Sequence, residues 1–380
     1  MSFLSFNLSQ SLLKTIEFNQ YKSPFPIQIQ AVPAILEGKS VVGSAQTGSG
    51  KTLAFVLPIL ELFQRKKVDR KLHLKVLILV PTRELAIQIG GVVTDFSRNL
   101  SNEVKHLSVF GGVPLNQQMV QLKNTEILIA TPGRLLDLIS TQSINLSKIE
   151  ILVLDEADKM MDLGFSDEMN QIFNLLPKKR QNILFSATID ADNEIIRQFL
   201  IESPLRIDIA PTQKNLDLIQ QSAYRISPER KGPLLRYLIK KQDMQQVLVF
   251  VSSVRTADNV AEKLRKNGID AEAIHSKKTQ SARTEAMFQF KNKQLKVLVA
   301  TDLASRGIDI HLLPFVINYE LPRSPTDYVH RIGRTGRAEV SGEAISLICP
   351  EDEHHFKIIQ KKMGEIVRFF DADTYDLGKI

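Results

Sequence analysis

Seven short apolar runs constrain this chain more than anything else in it: "KVLILV" at 75–80, "EILIA" at 126–130, "IEILVL" at 149–154, "NILFSA" at 182–187, "QVLVFV" at 246–251, "KVLVA" at 296–300 and "FVINY" at 315–319. They are near-continuous rather than alternating, the pattern of strands buried on both faces of a parallel sheet. Between them lie helix-like stretches such as "RELAIQIGGVVTDFSRNL" and "VRTADNVAEKLRKNG", the second closing on a basic turn with Gly268 as its C-cap. The class is repeated α/β. The pattern also runs twice. "LILVPTREL" is followed about 50 residues later by "ILIATPGRL", and "LVFVSSVRT" at a similar interval by "VLVATDLASRG". A repeat of that size implies two similar sheets, with the polar stretch "DIAPTQKNLDL" at 208–218 as the linker and a cleft between lobes 1–207 and 219–380.

At 380 residues, 43% hydrophobic and 24% charged, the chain can bury sizeable cores. Its net charge of +7 favours a polyanion as partner. The single cysteine, Cys349 in the strand-like run "EAISLIC", excludes an intrachain disulfide, fits a reducing compartment and reads as a small buried hydrophobe. The start, "MSFLSFNLSQ", has no basic segment leading into an apolar stretch, and no apolar run approaches membrane-spanning length. The expectation is a soluble, cytoplasmic monomer with no membrane partner.

The stretch "SVVGSAQTGSGKTLAF" reads as strand, glycine-rich loop, helix. Gly48 and Gly50 let backbone N–H groups of the loop Ala45, Gln46, Thr47, Gly48, Ser49, Gly50 converge on phosphate oxygens, at a helix N-terminus that adds partial positive charge. Lys51 then reaches the β- and γ-phosphates and Thr52 holds Mg²⁺ by its hydroxyl. The match is to the P-loop pattern with Ala45 in place of the first glycine. That loop explains a second stretch, "ILVLDEADKMMD", which sets Asp155, Glu156 and Asp158 behind a buried strand. Clustered carboxylates resist desolvation unless they face a cation. Asp155 at the strand end orients magnesium, directly or through water, and Glu156 polarises the attacking water as general base.

"AQTGSGKT", "PTRELA", "TPGR", "DEAD", "SAT" at 186–188, "ATDLASRGIDI" at 300–310 and "HRIGRTGR" at 330–337 stand in the order and at the intervals of the DEAD-box RNA helicases, which the chain resembles from about Phe3 to about Cys349. The resemblance implies two tandem RecA-like lobes, each a mostly parallel sheet flanked by helices, closing on ATP and one RNA strand. The lobe at 1–207 would carry the adenine motif, P-loop, DEAD and SAT, and the lobe at 219–380 the other two motifs. "PFPIQ" resembles the adenine-reading motif, in which Gln28 pairs with the base, Tyr21 stacks on it and Phe3 is the distant aromatic. The family has Gly where this chain has Gln20, Gly where it has Ser276 and commonly Gly where it has Glu339. Arg334 and Arg337 correspond to arginine fingers that reach the γ-phosphate on closure, Asp309 to a ribose contact, and His330 to a residue linking the lobes near Asp158, Ser186 and Thr188.

Arg83, Gly112, Thr131, Gly133, Arg134, Gln280, Arg283 and Thr301 match positions the family uses on the RNA backbone. Few aromatics interleave them, so recognition is expected to be indifferent to sequence. The expected activity is RNA-dependent ATP hydrolysis coupled to closure and to unwinding of short duplexes. An ATP-controlled RNA clamp or scaffold is the alternative, and a DNA-directed motor a third reading. After Cys349 the chain reads as one amphipathic helix and a mixed-charge tail without an Arg/Gly-rich or Lys-rich extension, so RNA binding is expected to be weak without nucleotide.

Overall fold

The computed structural model describes the chain apart from residue 1 and residues 46–47, 66–72, 190–194, 198–202, 210–218, 303–312, 337–340, 374 and 378–380. It divides into two compact units, Met1–Pro211 and Thr212–Ile380.

The first unit is built on strands β1 (Val41–Ser44), β2 (Val76–Leu79), β3 (His106–Val109), β4 (Ile127–Ala130), β5 (Ile151–Asp155), β6 (Gln181–Ser186) and β7 (Leu205–Asp208), ordered β3-β4-β2-β5-β6-β1-β7 and parallel throughout. The second has β8 (Ile219–Arg225), β9 (Val247–Val251), β10 (Ala271–Ile274), β11 (Val297–Thr301), β12 (Phe315–Asn318), β13 (Gly342–Ile348) and β14 (Arg368–Asp371), ordered β10-β11-β9-β12-β13-β8-β14, again all parallel. Counted within each unit, the two orders are the same. The repeat seen in the sequence is therefore a repeat of topology: "LILV" and "LVFV" are β2 and β9, and "ILIA" and "VLVA" are β4 and β11, at matching places in their sheets.

The continuous apolar runs follow from helices covering both faces of each sheet. In β2, Val76 and Ile78 enter one core while Leu77 and Leu79 enter the other; in β5, Ile151 and Val153 divide from Leu152 and Leu154 in the same way. Strands without a solvent face leave no polar positions to alternate with. The helix expected over "RELAIQIGGVVTDFSRNL" spans Arg83–Ser97, capped by Thr82, whose Oγ1 accepts the Leu85 N–H at 3.3 Å. The one expected over "VRTADNVAEKLRKNG" spans Val254–Lys266, with Asn267 as its cap and Gly268 beyond it at φ +75°. β7 ends at Asp208, where the linker was expected to begin, and 210–218 lie outside the described residues. Among the described residues no helix is long and apolar enough to cross a membrane.

Candidate nucleotide and nucleic-acid site

In parallel α/β sheets ligands gather at the carboxyl ends of the strands, and the candidate residues of the first unit sort along that edge. Those expected to hold phosphate and magnesium follow β1 and β5, and the strand between them, β6, ends on Ser186 of the group expected to couple the lobes. Those expected to hold nucleic acid follow β2, β3 and β4, which are adjacent.

At the nucleotide end, Gly48 and Gly50 have φ of +78° and +86°, in the left-handed region that favours glycine. Gly50 has a second reason to lack a side chain: a Cβ there would lie 2.5 Å from Gln28 Nε2 and 2.8 Å from Phe25 Cδ2. Gln28 is 1% exposed, and its amide is engaged at both ends: Oε1 accepts the Phe25 N–H at 2.9 Å and Nε2 donates to the Gly50 carbonyl at 2.9 Å. It thus caps the helix Pro26–Leu36, which starts on a proline, and fastens it to the P-loop. Lys51, the first residue of helix Lys51–Arg65, is 7% exposed and donates its Nζ to the Ala45 carbonyl at 2.7 Å. Thr52 beside it is half-buried, as is Ser49. Gln46 and Thr47 lie outside the described residues.

The acids form no solvated loop. Asp155 and Glu156 are 3% and 6% exposed. Asp155 ends β5, and one of its oxygens accepts the Glu156 N–H at 3.0 Å. Burial pushes its carboxyl up to about 6, against the pull of the Lys51 ammonium and with a further push from Glu156. Glu156 sits at φ +55°, strained for a residue with a side chain, which turns its carboxylate sharply at the strand end. Lys159, one turn on, meets it at 2.8 Å with both side chains buried. Lys159 was missed in the sequence; its i+3 spacing from Glu156 was the available signal. Two buried carboxylates with two lysines around them fit a site for phosphate-bound magnesium, which takes few protein ligands. Among the described residues no cluster of three or more metal-ligating side chains exists.

Asp158 joins this group to β6: its N–H donates to Ser186 Oγ at 3.2 Å and its Oδ2 accepts from Thr188 Oγ1 at 3.4 Å. Tyr21 is 38% exposed with its ring centroid 6.2 Å from that of Phe96. Gln20 before it has φ +60°, the conformation glycine would adopt without strain. Phe3 is a core residue, 4% exposed and packed edge-on against Phe6.

At the other end of the edge, Arg83 opens its helix and its guanidinium lies against Gly112, at φ +81°, where any Cβ would run into it. Thr131 caps the helix Pro132–Ser140 that carries Gly133 and Arg134. Arg134 is 8% exposed and already bound within the protein, through Nη1 to Gln118 Oε1 at 2.9 Å and Nε to Asp137 at 3.2 Å. It thereby braces two helices, while the half-buried Arg83 keeps its guanidinium against Gly112.

In the second unit Thr301 ends β11, and Gln280 and Arg283 open the helix Gln280–Lys291 after β10. These are the counterparts of β4 and β3. Thr301 and Arg283 are buried at 8% and 6%, and the Gln280 carboxamide oxygen is buried with no partner among the described residues. His330 lies on helix Pro325–Ile332, and Arg334, 6% exposed, in the turn after it, held by its N–H to the Arg331 carbonyl at 3.2 Å. Arg331 was passed over in the sequence. It is 2% exposed, bonds both oxygens of Asp302 at 2.6 and 2.7 Å, and donates to Asn318 and the Glu320 carbonyl, so it fixes the turn that presents Arg334. Arg337, Asp309 and Glu339 lie outside the described residues.

Comparison with known proteins agrees over both units. The DEAD/DEAH box helicase family matches residues 25–196 and the helicase conserved C-terminal domain residues 230–339. The ATP-dependent RNA helicase CshA of Listeria monocytogenes is 37% identical over 98% of this chain and 71% of its own length. The DEAD-box ATP-dependent RNA helicase RhpA of Helicobacter pylori is 36% identical over 100% and 76%. The structure of S. cerevisiae Dbp5 bound to RNA and ADP BeF3 superposes with a TM-score of 0.84 at 30% identity, covering 99% of this chain and 97% of that one. With its motifs on two repeated parallel sheets and such relatives along its whole length, this chain belongs to the DEAD-box ATP-dependent RNA helicase family.

Proposed function

We propose that this protein is an RNA-stimulated ATPase that couples lobe closure on ATP and RNA to the local opening of short RNA duplexes. The observation that carries the reading is the division of one sheet edge into two tracks. Phosphate chemistry follows β1 and β5, with the coupling residues of β6 between them, backbone-gripping residues follow β2, β3 and β4, and the second unit repeats the gripping positions after β10 and β11. ATP and RNA therefore meet the same rigid edge without competing for it.

In this reading the P-loop N–H groups and Lys51 bind the phosphates of ATP, Gln28 and Tyr21 face the base, and Glu156 takes the proton of the water that attacks the γ-phosphorus as the bond to ADP breaks. Mg²⁺, held by Thr52 and Asp155 directly or through water, supplies charge neutralisation on the phosphates. Arg334 and Arg337 bring guanidinium charge to the γ-phosphate on closure, and Asp309 meets the ribose. Arg83, Gly112, Thr131, Gly133 and Arg134 in the first unit, with Gln280, Arg283 and Thr301 in the second, follow the RNA backbone and read no bases. Asp158, Ser186, Thr188 and His330 couple nucleotide state to closure.

Strand displacement tests this directly. ATP should release the strand of a short RNA duplex and leave a long one intact. Tight RNA binding with ATP turnover and no displacement would make the protein an ATP-controlled clamp instead.

A further inference from the structure

The shared topology makes a specific demand on the second unit: its strands β8, β12 and β13 stand where β1, β5 and β6 stand in the first, so a counterpart of the phosphate site falls at their carboxyl ends. A cavity of about 480 Å³ lies there, within the range of small-ligand sites. The correspondence reaches individual residues. Lys51 begins the helix after β1 and is 7% exposed; Lys231 begins the helix Lys231–Lys241 after β8 and is 6% exposed. Asp155 and Glu156 close β5, while Tyr319 and Glu320 follow β12 and line the cavity.

The charges of the cavity are not all taken. Glu320 accepts the N–H and hydroxyl of Ser252 at 2.6 and 2.5 Å, and Lys231 pairs with Asp352 at 3.6 Å and lies 5.9 Å from the Tyr319 ring centroid. Glu351 is exposed at the rim. Arg236 and Lys263 also line the cavity, and neither has an ion pair among the described residues. What remains is two available cations, the Glu351 carboxylate out at the solvent rim, a half-buried phenol ring and an apolar floor of Leu235, Val260 and Leu264. The segment between β8 and its helix, "ISPER", lacks the glycines that let a backbone wrap a polyphosphate.

We propose that the second unit holds a separate binding site for a phosphomonoester carried on a ring, of mononucleotide size, its phosphate on Arg236 and Lys263 and its ring against Tyr319. The site is distinct from the P-loop, whose glycine-rich wrap it lacks.

Cys349, the only cysteine of the chain, lines this cavity and is 2% exposed, so thiol chemistry reports on it alone. AMP should slow iodoacetamide labelling of Cys349 in the full chain, roughly tenfold once AMP is about ten times its Kd. Inorganic phosphate should protect more weakly and adenosine scarcely. In the Arg236→Ala/Lys263→Ala variant, the AMP needed for equal protection should rise roughly tenfold or more. Asn259→Trp, which fills the mouth from an exposed position, should abolish the AMP effect with all charges kept. In parallel, AMP should raise the Tm of a Lys51→Ala protein, and the double substitution should remove that rise. No AMP effect on labelling or Tm, equal protection by adenosine, or protection that survives both variants would overturn the proposal.

Discussion

The tie between Gln28 and the P-loop makes the sharpest demand on experiment. Gln28→Ala would remove two hydrogen bonds of 2.9 Å. Gly50 keeps a partner, since its carbonyl also accepts the Ala54 N–H at 3.2 Å, and the Phe25 N–H loses its acceptor on a residue 47% exposed, where water can take its place. Two lost bonds at about 1 kcal/mol each give roughly 2 kcal/mol of lost order at the loop. Each 1.4 kcal/mol of that which is needed to bind phosphate costs about a tenfold in ATP affinity. Gln28→Glu is the more telling change. It keeps the acceptor for Phe25 but sets a carboxylate oxygen against the Gly50 carbonyl, where only a protonated carboxyl could donate. Titration with a fluorescent ATP analogue should show weaker binding in both variants, with the Glu variant recovering as pH falls and the Ala variant not. Wild-type affinity in Gln28→Glu at neutral pH, or a loss that ignores pH, would refute the brace.

Four other outcomes are expected. Glu156→Gln should keep ATP and RNA bound while stalling hydrolysis, whereas Lys51→Ala should weaken ATP binding; equal loss of affinity in both would contradict the roles given to them. Lys159→Met breaks the buried ion pair with Glu156, so thermal unfolding should register a destabilisation on the order of 3–5 kcal/mol. Arg334→Ala should cut RNA-stimulated hydrolysis by about 10³ with little change in ATP affinity of the RNA-free protein. Finally, Asp155 is an acid whose folded pKa, about 6, lies above its ordinary 3.8. Its protonated form stabilises the fold, a contribution fully present below 3.8 and lost as pH rises through about 6, and magnesium nucleotide must displace that proton below pH 6. The kcat/KM for ATP should therefore fall about tenfold per pH unit below 6, and Asp155→Asn should remove that limb along with most of the activity.

What the sequence revealed and what it hid follow burial. The strands legible as apolar runs, β2, β4, β5, β6, β9, β11 and β12, are all interior to their sheets. The edge strands β3, β7, β10 and β14 were not legible: "LRID" exposes all but Ile207, "RFFD" exposes both ends, and both carry charges, as edges do. β8, "IQQSAYR", is interior yet polar, because Tyr328 and Glu365 take up its Gln221 and water reaches part of its face. The site was legible where chemistry fixes residue types, at Lys51, Gly50, Asp155 and Glu156. It was not legible where a side chain serves another far along the chain: Gln118 and Arg331 act through Arg134 and Asp302, which only the fold brings beside them, whereas Lys159 meets Glu156 at an i+3 spacing that the sequence did offer.

The central claim, that RNA on one half of the sheet edge drives ATP chemistry on the other, is tested most directly by the steady-state rate of ATP hydrolysis with no nucleic acid, with single-stranded RNA of unrelated sequences and with single-stranded DNA. The expected result is a low basal rate, a large and sequence-independent rise with RNA, little response to DNA, and no stimulated rate in Glu156→Gln. A rate that RNA leaves unchanged, or that DNA raises as much as RNA does, would contradict it.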